Sequence, residues 1–137
     1  MTDDPEPSAL GLIGDQLNQF NTAAAGVANG YRALAILLTD PNSSAVIGGL
    51  SGWTTFEQLY VHLLFIPESC RGQGLGRTLM QKVECEAIER GCRGAWLDTF
   101  SFQARGFYEK LGYTVFGSID NYPPGHSRFF LKKVLQS

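Results

Sequence analysis

The residues with the clearest capacity for chemistry are Arg71-Gly72-Gln73-Gly74-Leu75-Gly76-Arg77, with glycine at alternate positions between two arginines. An almost wholly apolar run precedes them at 59–66 (LYVHLLFI), and Leu79, Met80, Val83, Ala87 and Ile88 follow at helical spacing. Strand, glycine loop and helix in that order make a device for holding phosphate. Glycine lets the backbone approach an anion closely, the first-turn amides of a helix have no internal partners, and the helix dipole adds favourable charge there. Arg71 and Arg77 can pair with phosphate oxygens. The blander alternative is a tight turn. Spacing argues against both nucleotide loops: the segment from Gly72 lacks GxxxxGK[ST], and Arg77 stands where GxGxxG needs its third glycine.

The elements around this loop can be read from periodicity and turn residues. Leu10, Ile13, Leu17 and Phe20 recur at helical spacing with Ser8 as a candidate N-cap, and 21–30 (NTAAAGVANG) reads as a second short helix. Strands are expected at 32–38, 45–54 and 59–66, the last covered on both faces because it is so apolar. Gly48, Gly49 and Gly52 within the second suggest a bulge or a close backbone approach. The helix after the glycine loop should stop at Gly91. A strand at 94–100, a helix capped by Ser101 and closed by Gly112, and two strands at 113–119 and 128–135 complete the chain. The expected fold is an α/β domain with a mixed sheet, residues 1–137 forming a single domain.

Composition narrows the class. The chain has 137 residues, 44% apolar and 18% charged, enough to bury a core without staples. Sixteen glycines exceed the average share of roughly 7%, yet no repeat of collagen type appears. No apolar run approaches the ~20 residues of a membrane span, and the acidic MTDDPEP start is unlike a signal peptide. Cys70, Cys85 and Cys92 form an odd set without a CxxC pair, which argues against a zinc site or a disulfide framework and for the cytoplasm. A net charge of −2 with scattered Lys and Arg gives no nucleic-acid footprint.

Two linked motifs add a family likeness. RGQGLG satisfies [Q/R]-x-x-G-x-[G/A], and SFQARGFYEKLGY looks like N-x-x-A-x-x-F-Y-E-x-x-G-[FY], matched at Ala104, Phe107, Tyr108, Glu109, Gly112 and Tyr113. Residues 59–113 thereby resemble the GNAT superfamily of acyl-CoA N-acyltransferases. Ser101 stands where that family often carries Asn, and the chain starts close to its first helix, leaving little room for the usual first strand.

The resemblance implies a mixed, mostly antiparallel sheet with helices on both faces and two splayed strands that hold acetyl-CoA as co-substrate, with no metal. It implies that backbone groups of Leu64, Phe65 and Ile66 take the pantetheine arm. Gly72, Gln73, Gly74, Leu75 and Gly76 would take the pyrophosphate beside Arg71 and Arg77, and Ser101 would lie near the arm. It makes Tyr108 a general acid toward the CoA sulfur, whereas spacing alone reads Tyr108 as a core aromatic. For the base, His62 is the candidate if its face meets the cleft; a buried, satisfied histidine is the plainer reading, and Glu57 or a water chain are others. Cys70 adjoins the loop and invites a covalent scheme, but no base is paired with it.

The rigid DNYPPGH loop, with Tyr122 and His126, is expected to border the acceptor site, with Trp53 and Phe56 on the same side and Phe20 in the opposite wall. Structural turn and dimer contacts are the alternatives for that loop. The expected activity is acetyl transfer to a primary amine of a small molecule in a ternary complex, by a cytoplasmic homodimer with no nucleic-acid or membrane partner. The alternatives are a non-catalytic acyl-CoA sensor and a peptide N-acetyltransferase.

Overall fold

The computed structural model describes residues 1–136. It divides into two compact units, Met1–Gly30 and a larger one that begins at Tyr31. The first contains a single helix, α1 (Pro7–Ala25). It starts ahead of the expected Ser8 cap, because Pro7 occupies its first turn, where a missing N–H costs nothing, and Glu6 is the N-cap without a side-chain bond. The alanine run at 23–25 continues this helix instead of forming a second one, since alanine is the best helix former. Gly26 then adopts φ +74° and its N–H donates to the Thr22 carbonyl at 3.0 Å.

The second unit contains β1 (Arg32–Thr39), β2 (Val46–Thr55), β3 (Gln58–Phe65), a 3-10 turn at Glu68–Cys70, α2 (Leu75–Glu89), β4 (Gly94–Phe100), α3 (Arg105–Lys110), β5 (Thr114–Asp120) and β6 (Ser127–Val134). The strands form one six-stranded sheet in the order β1-β2-β3-β4-β6-β5. Every pair is antiparallel except β3–β4, whose parallel pairing follows from the crossover through α2. This is the mixed, mostly antiparallel sheet expected.

The core forms where alternate strand residues meet the helices. Leu59 and Val61 of β3, Ala95 and Leu97 of β4 and Leu131 of β6 pack with Leu79, Met80, Val83 and Ala87 of α2 and with Tyr108 of α3. β3 is therefore not covered on both faces: Leu63 and Phe65 are exposed, and Tyr60 and His62 lie on the face away from α2. The β2 glycines answer to close packing. A Cβ on Gly48 would stand 2.6 Å from the Phe65 carbonyl, and Gly49 and Gly52 press as tightly on the Ile36 and Tyr60 carbonyls. The β2–β3 register shifts between Ser51 and Gly52.

α2 closes as expected: Gly91 donates to Ile88 and Cys92 to Ala87. α3 closes the same way through Gly112 and Tyr113. α3 begins later than expected, however, with Ala104 at its N-cap and not Ser101. No side chain caps α3; Gln103 instead braces the turn between β4 and α3, its Oε1 accepting from the Phe100 N–H at 2.8 Å. Glu84, buried on α2, accepts from the Tyr113 hydroxyl at 2.7 Å and from Lys133 at 2.8 Å, which ties α2 to the start of β5 and to β6.

Candidate active site

The site is made by a fork in the sheet. β3 and β4 pair only at Gln58↔Gly94, Leu59↔Ala95, Tyr60↔Trp96 and Val61↔Leu97. Beyond Val61 and Leu97 the two strands have no ladder between them, and two cavities border their free ends. One, of about 620 Å³, runs from Leu64, Phe65 and Ile66 along the glycine loop to Phe107 and Tyr108 of α3. The other, of about 500 Å³, is bordered by Tyr60 and His62 of β3, Asp98 and Phe100 of β4, and Arg128 of β6. Leu64, Phe65, Gln103, Ala104 and Tyr108 line both.

The larger cavity has the character of a cofactor site. Gly72 and Gly74 hold φ +79° and +72°, and a Cβ built on either meets nothing within 4 Å, so the loop presents open backbone. Gly74 is also the N-cap of α2 and supplies no side-chain cap bond, which leaves the first-turn amides available to an anion. Arg77 lines the cavity. Arg71 lines it too, but its Nε donates to the Ile66 carbonyl at 2.9 Å and its guanidinium lies over Phe65, so it also holds the loop to the end of β3. A phosphate-bearing ligand fits this donor set. Gln73 belongs to the loop without lining the cavity.

Tyr108 lies where the cavities meet. Its ring is 8% exposed and packs edge-on against Phe107 and Tyr113. Burial, with the nearby Asp98 carboxylate adding to it, pushes the phenol up to about 12. It therefore keeps its proton throughout the neutral range.

The other predicted residues divide. His62 is exposed at the smaller cavity, so the buried histidine is not what the structure contains; its ring packs on Trp53 at 5.3 Å and on Tyr60 at 5.9 Å. Glu57 sits in the turn before β3, at the opposite end of the strand from the fork, paired with Arg93 at 3.3 Å. Ser101 lines neither cavity: its hydroxyl accepts from the Ser127 N–H at 3.0 Å, because the chain there turns toward β6. Trp53 stands behind the smaller cavity, its ring against Tyr60 and His62.

Tyr122 and His126 border neither cavity; they brace residues near them, Tyr122 accepting from Arg128 at 3.1 Å and His126 packing on Phe102. Phe20 is exposed on α1, in the first unit. Cys70 lines the larger cavity, its sulfur 3.7 Å from the Ser69 hydroxyl.

Sequence reasoning missed the cluster of Tyr60, Asp98 and Arg128. The Tyr60 hydroxyl donates to Asp98 Oδ2 at 2.8 Å, and Arg128 Nε and Nη2 donate to Oδ1 at 3.1 and 2.6 Å. Burial and the Asp98 bond push the Tyr60 phenol up to about 12, and that carboxylate also raises the Arg128 guanidinium. The available signal was Asp98 itself, a lone acid inside the apolar strand GAWLDTF. Among the described residues no cluster of three His, Cys, Asp or Glu is placed to hold a metal, and no helix is long and apolar enough to cross a membrane.

A forked, mostly antiparallel sheet with a glycine loop at the fork and a tyrosine between two cavities defines an acyl-transfer fold. The model of the Acetyltransferase (GNAT) family matches residues 14–113, and the chain belongs to that family. Acetyltransferase Atu2258 of Agrobacterium fabrum (strain C58) is 39% identical over 133 residues, covering 97% of this chain and 96% of that protein. Blasticidin-S acetyltransferase of Streptomyces morookaense is 43% identical over 89 residues, 64% of this chain and 65% of its own length. The crystal structure of an Agrobacterium tumefaciens acetyltransferase superposes with a TM-score of 0.91 at 38% identity, over 98% of this chain and 96% of that one. The chain is an N-acetyltransferase, and its family uses acetyl-CoA.

Proposed function

We propose that the protein, acting as one catalytic domain over residues 1–137, transfers the acetyl group of acetyl-CoA to a primary amine of a small molecule, directly and within a ternary complex. The observation that carries this reading is the position of Tyr108 on the wall common to both cavities. One cavity then takes the cofactor and the other the acceptor, and the reacting atoms meet beside the phenol. Acetyl-CoA, when bound, supplies an activated acyl group on a thioester sulfur. The open amides from Gly72 to Gly76 hold the pyrophosphate, with Arg77 alongside. Backbone groups of Leu64, Phe65 and Ile66 orient the arm. Tyr108, protonated at neutral pH, donates its proton to the departing sulfur.

An amine of ordinary basicity, pKa about 10.4, arrives protonated and must lose a proton before it attacks. His62, exposed at the acceptor cavity, is the side chain placed to receive it. Relatedness to an enzyme named for blasticidin-S supports a small-molecule acceptor. Three free cysteines, one lining the cofactor cavity, support a reducing compartment such as the cytoplasm. The test is release of free CoA thiol on mixing protein, acetyl-CoA and a panel of amines and peptides. Thiol release with small amines is expected; release only with peptides, or with none, would overturn the reading.

A further inference from the structure

The acceptor cavity carries a charge balance and a set of rings that together define an acceptor class. Among its described lining residues the only carboxylate is Asp98 and the only guanidinium is Arg128. The two are paired at 2.6 Å, with Asp98 15% exposed and Arg128 26%. Arg128 is held from several sides: its Nη1 donates to the Tyr122 hydroxyl, and its guanidinium lies over the rings of Phe100, Tyr122 and Phe130 at 5.4, 5.3 and 5.5 Å. Asp98 has about four acceptor positions, of which Arg128 and Tyr60 take three. The cavity thus offers one remaining carboxylate lone pair, enough for one ammonium, next to a fixed positive charge.

The rest of the mouth is flat. Tyr60 is braced by Trp96 at 4.3 Å and Trp53 at 4.8 Å. Phe100 stacks on Phe102 at 5.3 Å with planes 3° apart. Tyr60 and Phe100, which line the cavity, are each held by further rings, so these two walls are stiff and suited to stacking.

We infer that the acceptor is a monoamine carried on a flat ring, that Asp98 receives its single ammonium, and that Arg128 excludes amines with several positive charges. This deepens the proposed function and rests on it. A polycation brings a second ammonium toward the guanidinium with no second carboxylate among the described lining residues to meet it, and like charges at a partly buried pair repel.

The test compares phenethylamine, hexylamine and spermidine, all with acetyl-CoA. Turnover is read by thiol release, and amine binding independently by intrinsic tryptophan fluorescence, for which Trp53 and Trp96 against Tyr60 are the reporters. The expected kcat/KM for phenethylamine is about tenfold or more above hexylamine and about a hundredfold above spermidine, with the same order in binding. Arg128→Gln leaves Asp98 unbalanced and should narrow the spermidine gap about tenfold without moving the KM for acetyl-CoA, while Arg128→Lys keeps the exclusion.

Equal use of hexylamine, preference for spermidine, or an unchanged gap in a folded Arg128→Gln variant overturns the inference. If that variant fails to fold, the order of the three amines on the wild-type protein decides. Ring preference in binding with no thiol release would remove the transfer reading and leave the ligand class standing.

Discussion

The Phe107 ring of α3 lies against Gly76 at the start of α2, so close that a Cβ at position 76 would stand 3.1 Å from Cζ of the ring. The helix that carries Tyr108 is thereby seated directly on the turn that carries the glycine loop. A change at one must move the other. Gly76→Ala is expected to raise the acetyl-CoA KM and lower kcat together, with a stability change within about 1 kcal/mol, because alanine's better helix propensity offsets the overpacking. Adding Phe107→Leu should restore part of both. Steady-state kinetics with thermal melts check this; a kcat that holds while KM rises would show the two helices to be uncoupled.

Tyr108→Phe removes the hydroxyl and keeps the ring that packs between Phe107 and Tyr113. Turnover should fall by about two orders of magnitude, the usual range for losing a proton donor. Acetyl-CoA affinity, measured by calorimetry, should stay within about twofold, because the lost group acts at the sulfur and not on the phosphates. Unchanged turnover would strip Tyr108 of the role of acid.

Gly74 and Gly91 both hold positive φ with open space where a Cβ would stand, yet only Gly74 faces the cofactor cavity. Gly74→Val and Gly91→Val therefore carry comparable backbone strain. Gly74→Val should weaken acetyl-CoA binding by about a hundredfold, close to 3 kcal/mol, whereas Gly91→Val should leave binding intact at a similar stability cost. Equal binding by the two variants would dismiss the loop as the phosphate cradle.

Alkaline stability has a sign that follows from three tyrosines. Burial raises Tyr108 and Tyr60 to about 12 and moves Tyr113 in the same direction, whereas a tyrosine in the unfolded chain ionises near ~10. The contribution of these groups is present in full below about pH 10 and is lost as pH rises toward about 12, because the unfolded chain releases protons that the folded one retains. For Tyr108 the loss amounts to roughly 2–3 kcal/mol. Urea midpoints taken from pH 8 to 11 should fall on the alkaline side, less steeply in Tyr108→Phe; a flat profile would contradict the burial of these phenols.

The glycine loop and the cavity it borders were legible in the chain because their requirements are local. Gly72, Gly74 and Gly76 announce themselves by spacing, and Gly91 and Gly112 mark helix ends through backbone geometry that few other residues adopt. The acceptor half depends on residues far apart in sequence. Tyr60, Asp98 and Arg128 meet only because β3, β4 and β6 are neighbours in the sheet, an order no local pattern encodes. Ser101 shows the same limit from the other side: it stands at the motif's Asn position, yet its hydroxyl serves the Ser127 amide, and Gln103 lines the cavities instead. The expected second helix at 21–30 is instead the end of α1, because the alanines at 23–25 carry the helix on to Gly26.

The short seam between β3 and β4 has one more consequence. The sheet amounts to two three-stranded antiparallel ribbons, β1-β2-β3 and β4-β6-β5, sewn together by four residue pairs. Under the proposed function, a pantetheine arm held by the backbone of Leu64, Phe65 and Ile66 would extend that seam from the far end, bonding as another strand would. On that reading the co-substrate would serve as a stitch as well as a reagent, and its binding energy would go partly into making two ribbons behave as one sheet.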